Sequence, residues 1–265
     1  MNAGTVAPAG ARPDEVALFV PCFVDQFYPR AGIAAVTLLE RLGVRVHLSP
    51  DAVCCGQPPA NAGFAHDGDR ALARFVSVYA GNMPVVVLSG SCALHVCLHA
   101  AHACPDGRGA AVAARTTEFC AFLHDVIGVQ RVAVVATPFV ARAAVHLGCH
   151  GLRGLNLATP TELQGARVNK VVALLEQVPG LGLQALSRPD ECCGFGGTFA
   201  MGEPALSVKM GRDRLRDVAS TEVDVLISPD LSCLMHLDGL ARASGRPVRM
   251  LHPAEVLAGM TEPQS

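Results

Sequence analysis

Most of the chemistry available to this 265-residue sequence lies in its 11 cysteines, eight of which fall into two sets with the same internal order. The first set is Cys22, the vicinal pair Cys54-Cys55 followed by Gly56, and Cys92. The second is Cys149, the pair Cys192-Cys193 followed by Gly194, and Cys233. Free cysteine is commonly buried as a small apolar residue, but burial gives no reason for soft ligands to recur in matching order. Four convergent thiolates suit an iron–sulfur cluster or a structural zinc ion. Zinc sites usually close on a C-x2-C knuckle, which this sequence lacks. Vicinal cysteines direct their side chains differently, as a polynuclear centre with one sulfur per iron would use. Gly56 and Gly194, lacking a Cβ, let backbone pass close to a bound group or turn through positive φ; an ordinary turn glycine is the plainer reading.

Histidines accompany the cysteines. Cys92, His95, His99 and His102 step by three, four and three residues, lining one face if that segment is helical. A metal-binding face is one reading of this stripe, and a solvated or core-packed face is the other. His146 and His150 flank Cys149, and Asp230 precedes Cys233 by three residues; with Arg153, these are groups able to hydrogen-bond around a metal site. Cys97, Cys104 and Cys120 have no counterparts in the second set and read as packing. Gly194-Phe195-Gly196-Gly197 lacks the spacing of a nucleotide-binding fingerprint and reads as room for a bound group. With neither a G-x-S-x-G elbow nor an H-E-x-x-H helix, no catalytic residue is assigned.

The elements that must position these residues follow from hydrophobic patterning. Short apolar runs at residues 16–20, 44–48 and 84–88 precede Cys22, Cys54 and Cys92, and runs at 141–147, 181–186 and 223–227 precede Cys149, Cys192 and Cys233. Helical patterns at 69–80 and 204–219 lie between runs. This alternation predicts an α/β fold made of two pseudo-symmetric copies of a small α/β unit with parallel sheets. The cysteine motifs then sit at strand carboxyl ends, where open α/β sheets place ligands. The tails match in rhythm, residues 119–126 with 250–257. Residues 1–13 read as a loose tail, 14–130 as the first repeat and 131–262 as the second, with Thr137-Pro138 as the breaker between copies.

Composition narrows the function classes. A hydrophobic fraction of 51% supplies a sizeable core. A charged fraction of 17% and a net charge of −2 exclude a disordered polyelectrolyte and leave no basic excess for a phosphate backbone, so no nucleic-acid partner is expected. The apolar runs are far shorter than the roughly 20 residues of a spanning helix, so no transmembrane segment is expected. The first residues lack the apolar stretch of a secretory signal, which points to the cytoplasm, and an odd cysteine count there argues against a disulfide framework.

Several motifs in order carry a resemblance: Cys22-Phe23-Val24-Asp25-Gln26-Phe27-Tyr28-Pro29, Cys54-Cys55-Gly56-Gln57-Pro58, Ser89-Gly90-Ser91-Cys92, His146-Leu147-Gly148-Cys149-His150 and Glu191-Cys192-Cys193-Gly194-Phe195-Gly196-Gly197-Thr198-Phe199. From about residue 16 to 259 the chain resembles the cysteine-rich CCG-domain family, and within it the members that serve lactate utilization. The resemblance implies an iron–sulfur cofactor of the 4Fe-4S type, one or two clusters per chain, held by Cys22, Cys54, Cys55, Cys92, Cys149, Cys192, Cys193 and Cys233. In the related heterodisulfide reductase each repeat binds a noncubane cluster through five cysteines, the last two as C-x2-C. Here His95 and His236 stand at the final position, either as fifth ligands or beside an ordinary four-cysteine site. The implied function is electron transfer, as the iron–sulfur subunit of a cytoplasmic complex oxidising L-lactate to pyruvate. A ferredoxin run of the form C-x2-C-x2-C-x3-C-P is missing, so the resemblance implies two partner subunits, one carrying ferredoxin-type clusters. The alternatives are a thiol/disulfide redox subunit of the heterodisulfide reductase type and a zinc-stabilised structural scaffold.

Overall fold

The short apolar runs form strands, and the longer stretches between them form helices, in a computed structural model that describes residues 12–51 and 54–262. The first unit runs β1 (Glu15–Phe19), α1 (Cys22–Phe27), α2 (Pro29–Arg41), β2 (Arg45–His47), α3 (Gln57–Asn61), α4 (Ala65–Val78), β3 (Val85–Val87), α5 (Gly90–Ala103), α6 (Arg108–Arg115) and β4 (Thr116–Glu118). It ends in α7 (Phe119–Ala121), a π-helical turn (Phe122–Gly128) and α8 (Val129–Val135). The second unit runs β5 (Ala141–Val145), a π-helical turn (His150–Gly154), α9 (Lys170–Leu175), β6 (Leu181–Gln184), α10 (Phe199–Gly202), α11 (Pro204–Ala219), β7 (Val225–Ile227), α12 (Leu231–Ala243), β8 (Arg249–Leu251) and α13 (Pro253–Ala258).

Each unit carries one four-stranded sheet, in the orders β2-β1-β3-β4 and β6-β5-β7-β8, and every pairing is parallel. The registers Ala17↔Val85↔Thr116 and Ala143↔Val225↔Arg249 make the two sheets equivalent residue by residue. They also correct the tail correspondence read from the sequence. Thr116 matches Arg249, so Phe119 matches His252, two positions beyond the match with Met250. The tails hold a fourth strand per sheet, which apolar patterning did not show. Of the segment expected to be a loose tail, residues 1–11 lie outside the described residues, while the Arg12 guanidinium donates to Leu42 O at 2.6 Å. Thr137-Pro138, read as the breaker between copies, follows α8 closely and precedes β5.

Burial follows the period of two expected of a strand covered on both faces. Val16, Leu18, Val86 and Leu88 face one apolar cluster, while Ala17, Phe19, Val85 and Val87 face another that includes Leu72, Phe75 and Val96. The first cluster continues through Leu38, Phe122, Leu174, Leu226 and Leu257, so the two units share one core. Each of the valine, leucine and phenylalanine side chains among them contributes on the order of 1.5–3 kcal/mol through burial.

Contacts between the units are reciprocal. Helix α2 packs on α13, and its counterpart α9 packs on α7 and the turn Phe122–Gly128. Likewise α1 packs on α12, and the turn His150–Gly154 packs on α5. The units are therefore related like the halves of a two-fold dimer. Arg30 joins them through Glu255 Oε1 at 3.2 Å and Met260 O at 2.7 Å, as does Arg41 through Ala258 O at 3.0 Å. Among the described residues no helix is long and apolar enough to cross a membrane.

Candidate metal centres

In both sheets the order of strands reverses between the two central ones, which opens a crevice at their carboxyl ends. Cys22 opens α1 just past β1, and Cys92 lies in the first turn of α5, just past β3. Cys54-Cys55 follow β2 and sit immediately before α3. In the second unit Cys149 falls between β5 and its π-helical turn, Cys233 lies in the first turn of α12, and Cys192-Cys193 follow β6. Each unit thus brings its four sequence-predicted cysteines together at the reversal.

The thiols form a chain in each crevice, Cys22–Cys54–Cys55–Cys92 and Cys149–Cys192–Cys193–Cys233. Cys193 and Cys233 Sγ stand 3.0 Å apart. Hydrogen bonds from Cys22 and Cys55 hold Cys54 well below the ordinary thiol range, and bonds from Cys149 and Cys193 do the same for Cys192. Sharing protons with those sulfurs, with burial added, pushes Cys22, Cys55, Cys149 and Cys193 up. Four sulfurs that can satisfy one another only by sharing protons are a donor set for a soft metal, whose binding displaces those protons. The clustered cysteines suggest metal or iron–sulfur binding, and the residues fit such a group. Backbone amides already point at them, from Gly56 and Gly194 to Cys54 and Cys192 at 3.4 Å each, and from Phe195 to Cys193 at 3.5 Å.

The glycine after each pair is required by backbone geometry. Gly56 has φ 90° and Gly194 φ 87°. A Cβ at Gly56 would collide with Gly68 O, and one at Gly194 would stand 2.6 Å from Ser207 O. Of the readings open in the sequence, positive φ is the one the fold uses, with the close approach made to α4 in the first unit and α11 in the second.

The histidines divide by position. His95 is buried, and burial pushes its imidazole down to about 4 with Cys54 and His150 among its electrostatic neighbours. His236 is half-buried, 3.5 Å from Ser207 Oγ, with Cys192 as an electrostatic neighbour. Each imidazole thus feels the charge of the first cysteine of the vicinal pair. His99 meets His95 in a tilted arrangement with ring centroids 4.8 Å apart, and His102 points to solvent beside Asp69, so the stripe on α5 runs from the site outward. His150 Nδ1 is 4.0 Å from Cys149 Sγ. His146 is buried with both ring nitrogens free of partners among the described residues. Arg153 pairs with Glu162 on the surface.

Asp230 joins the two crevices. It caps α12, accepting from Ser232 Oγ at 2.6 Å, and its Oδ2 accepts from the backbone N–H of Ser91, the residue before Cys92, at 2.9 Å. Phe23, beside Cys22, meets Phe195 of the second unit edge-on at 6.0 Å. Cys97 lies 3.7 Å from Thr116 O, Cys104 caps α5, and Cys120 is fully buried in α7, all three outside the thiol chains.

Sequence reasoning missed Arg214 and Asp217. Arg214 is fully buried on α11, 3.1 Å from Asp217 Oδ2, and donates to Glu191 O at 2.7 Å and Arg188 O at 2.5 Å. Asp217 accepts from the backbone N–H groups of Ser187 and Arg188 at 3.0 Å each. The pair clamps the loop that delivers Cys192-Cys193. Its only trace in the sequence is the three-residue spacing of opposite charges on a helix.

The cysteine-rich domain family, CCG, matches residues 16–96 and again residues 143–238. Lactate utilization protein A of Geobacillus kaustophilus (strain HTA426) is 37% identical over 247 residues, which cover 92% of this chain and 98% of that protein. Lactate utilization protein A of Bacillus subtilis (strain 168) is 34% identical over 248 residues, with the same coverage of 92% and 98%. Among solved structures, a hypothetical protein from Helicobacter pylori aligns with a TM-score of 0.58 at 12% identity, over 97% of this chain and 51% of that one. This chain spans about half the length of that protein, and the likeness is one of fold. The doubled match, each copy enclosing one set of four clustered thiols, shows that the chain belongs to the cysteine-rich CCG-domain family, alongside relatives named lactate utilization protein A.

Proposed function

We propose that this protein is the electron-transfer iron–sulfur subunit of a cytoplasmic complex that oxidises L-lactate to pyruvate. The observation that carries the reading is the meeting of four thiols at equivalent strand ends in both units, in a chain whose relatives are named for lactate utilization. Cys22, Cys54, Cys55 and Cys92 hold one 4Fe-4S cluster, and Cys149, Cys192, Cys193 and Cys233 hold the other, within repeats spanning 14–130 and 131–262. A bound cluster supplies one-electron transfer. The chain's own residues hold it: the amides of Gly56 and Gly194 donate to sulfur, and His95 and His236 serve either as fifth ligands or beside a four-cysteine site. Asp230 keeps the two crevices in register. The partners in this reading are two further subunits of the complex, one with ferredoxin-type clusters.

The test is anaerobic purification followed by iron, acid-labile sulfide and electron paramagnetic resonance measurements, beside growth of a deletion strain on L-lactate. Iron and sulfide in equal amounts, with growth restored by the gene but not by its Cys54→Ser or Cys193→Ser variants, is the expected result. A fully active preparation with stoichiometric zinc and no iron would overturn it. The exposure of Cys149 favours a second reading, thiol/disulfide chemistry of the heterodisulfide reductase type, because an open ligand position admits substrate sulfur. Normal growth of the deletion strain on lactate with loss of thiol turnover would select that reading.

A further inference from the structure

His146 is 1% exposed and directly follows β5, where its backbone N–H donates to Ile227 O of β7 at 2.8 Å. The strand seam therefore fixes its position. Among the described residues neither of its ring nitrogens has a partner. Yet a ring nitrogen, Cys193 Sγ and Cys233 Sγ all lie within 4.8 Å of one another. A buried imidazole without a partner is costly, so a group that engages it at this spot recovers that cost.

The first unit has no such side chain. The paired registers that match Ala17 with Ala143 put Val20 at the backbone position of His146, with its side chain against Gly32 of α2. His95 and His236 are common to both crevices, whereas the His146 position carries an imidazole in one and an isopropyl group in the other. Hydrogen bonds to cluster sulfur raise a reduction potential, because they stabilise the extra negative charge of the reduced state.

We infer that His146 donates its ring N–H to the sulfur of the cluster held by Cys193 and Cys233, which makes the second centre the higher-potential one of the pair. Electrons arriving at the first centre then run downhill to the second. The inference rests on the iron–sulfur reading above. His146 is a positioning and tuning residue in this scheme and takes no part in bond making.

The test is a spectroscopic redox titration of the purified, cluster-loaded chain. His146→Leu is expected to lower the higher midpoint potential and leave the lower one in place, while His146→Gln, which keeps an N–H donor, restores most of the shift. His146→Gln, close in size and polar, also keeps the inference testable where His146→Leu fails to fold, since its ring-free side chain still offers a single N–H donor group at the same position. Midpoint potentials that stay at their wild-type values in a loaded His146→Leu protein, or a His146→Gln protein whose higher potential falls as far as that of His146→Leu, would overturn the inference and leave the iron–sulfur reading standing. A wild-type chain without iron and sulfide would overturn that reading itself, whatever the variants did.

Discussion

Replacing Arg214 by leucine tests whether a buried ion pair, distant in sequence from the cysteines, holds the second metal centre in place. In the wild-type protein the guanidinium is fully buried and meets Asp217 and the carbonyls of Arg188 and Glu191. Leucine removes every one of these bonds. Asp217, 1% exposed at its side chain, keeps its N–H donors from Ser187 and Arg188 but loses its counter-charge. Removing one partner of a buried pair costs about 3–5 kcal/mol, and the two freed carbonyls place the loss in the upper part of that range. For a protein whose total stability is roughly 5–15 kcal/mol, that is a large share. It corresponds to a fall in Tm on the order of 10 °C for a chain of this size. Anaerobic urea denaturation, followed by circular dichroism and by iron release, reads both effects. The second centre is expected to lose iron at lower urea than the first, because the clamped loop delivers only Cys192-Cys193. The double variant Arg214→Leu/Asp217→Leu is expected to recover part of the loss, since it leaves no lone buried charge. A loss below about 1 kcal/mol, or a double variant no more stable than the single one, would refute the clamp.

Two further outcomes follow from backbone geometry and from burial. Gly56→Ala and Gly194→Ala each force a Cβ to within 2.6 Å of a carbonyl oxygen or closer, at a φ near +90°; each variant is expected to lose the iron of its own unit and keep that of the other, and full iron content in either would contradict the requirement for glycine. Burial pushes the carboxyl of Glu118 up from 4.5 to about 7, so the folded state holds its proton more tightly than the unfolded chain does. The stability linked to that proton is complete below about pH 4.5 and is lost as pH rises through 7, a swing of about 3 kcal/mol. Glu118→Gln is expected to remove the swing, as measured by denaturation at pH 5 and pH 8, and an unchanged difference between those pH values would show that Glu118 is not its source.

The repeats, the parallel sheets and the placement of cysteines after strands were legible in the sequence because each is a local pattern repeated twice. Valine runs such as Val85–Val87 read as buried strands without any tertiary information. The fourth strands did not. Thr116-Thr117-Glu118 and Arg249-Met250-Leu251 are three-residue segments with no apolar run, and they become strands because β3 and β7 offer them an edge. Arg214 was invisible for the opposite reason. A charged residue on an amphipathic helix reads as a solvated face, and only the loop folding over α11 buries it; in the first unit the equivalent position is Phe75, which fills the space with an uncharged ring. His146 stood out in sequence by its place beside Cys149, but its lack of any hydrogen-bond partner among the described residues is a property of the folded core.

The reciprocal packing of α1 on α12 and of the turn His150–Gly154 on α5 has an ancestral implication. A gene encoding one such unit would make a symmetric pair through these same surfaces, with two identical sites facing each other across the axis. Duplication and end-to-end fusion of that gene require no new interface, only a connection such as the one that now runs through α8 to β5. What fusion adds is independence. Two copies of one sequence must carry the same residue at equivalent positions, whereas a fused chain can keep valine at position 20 and acquire histidine at position 146. On the proposed iron–sulfur reading, joining the copies is the step that lets two equal centres become a donor and an acceptor, turning a symmetric pair into a wire with a direction.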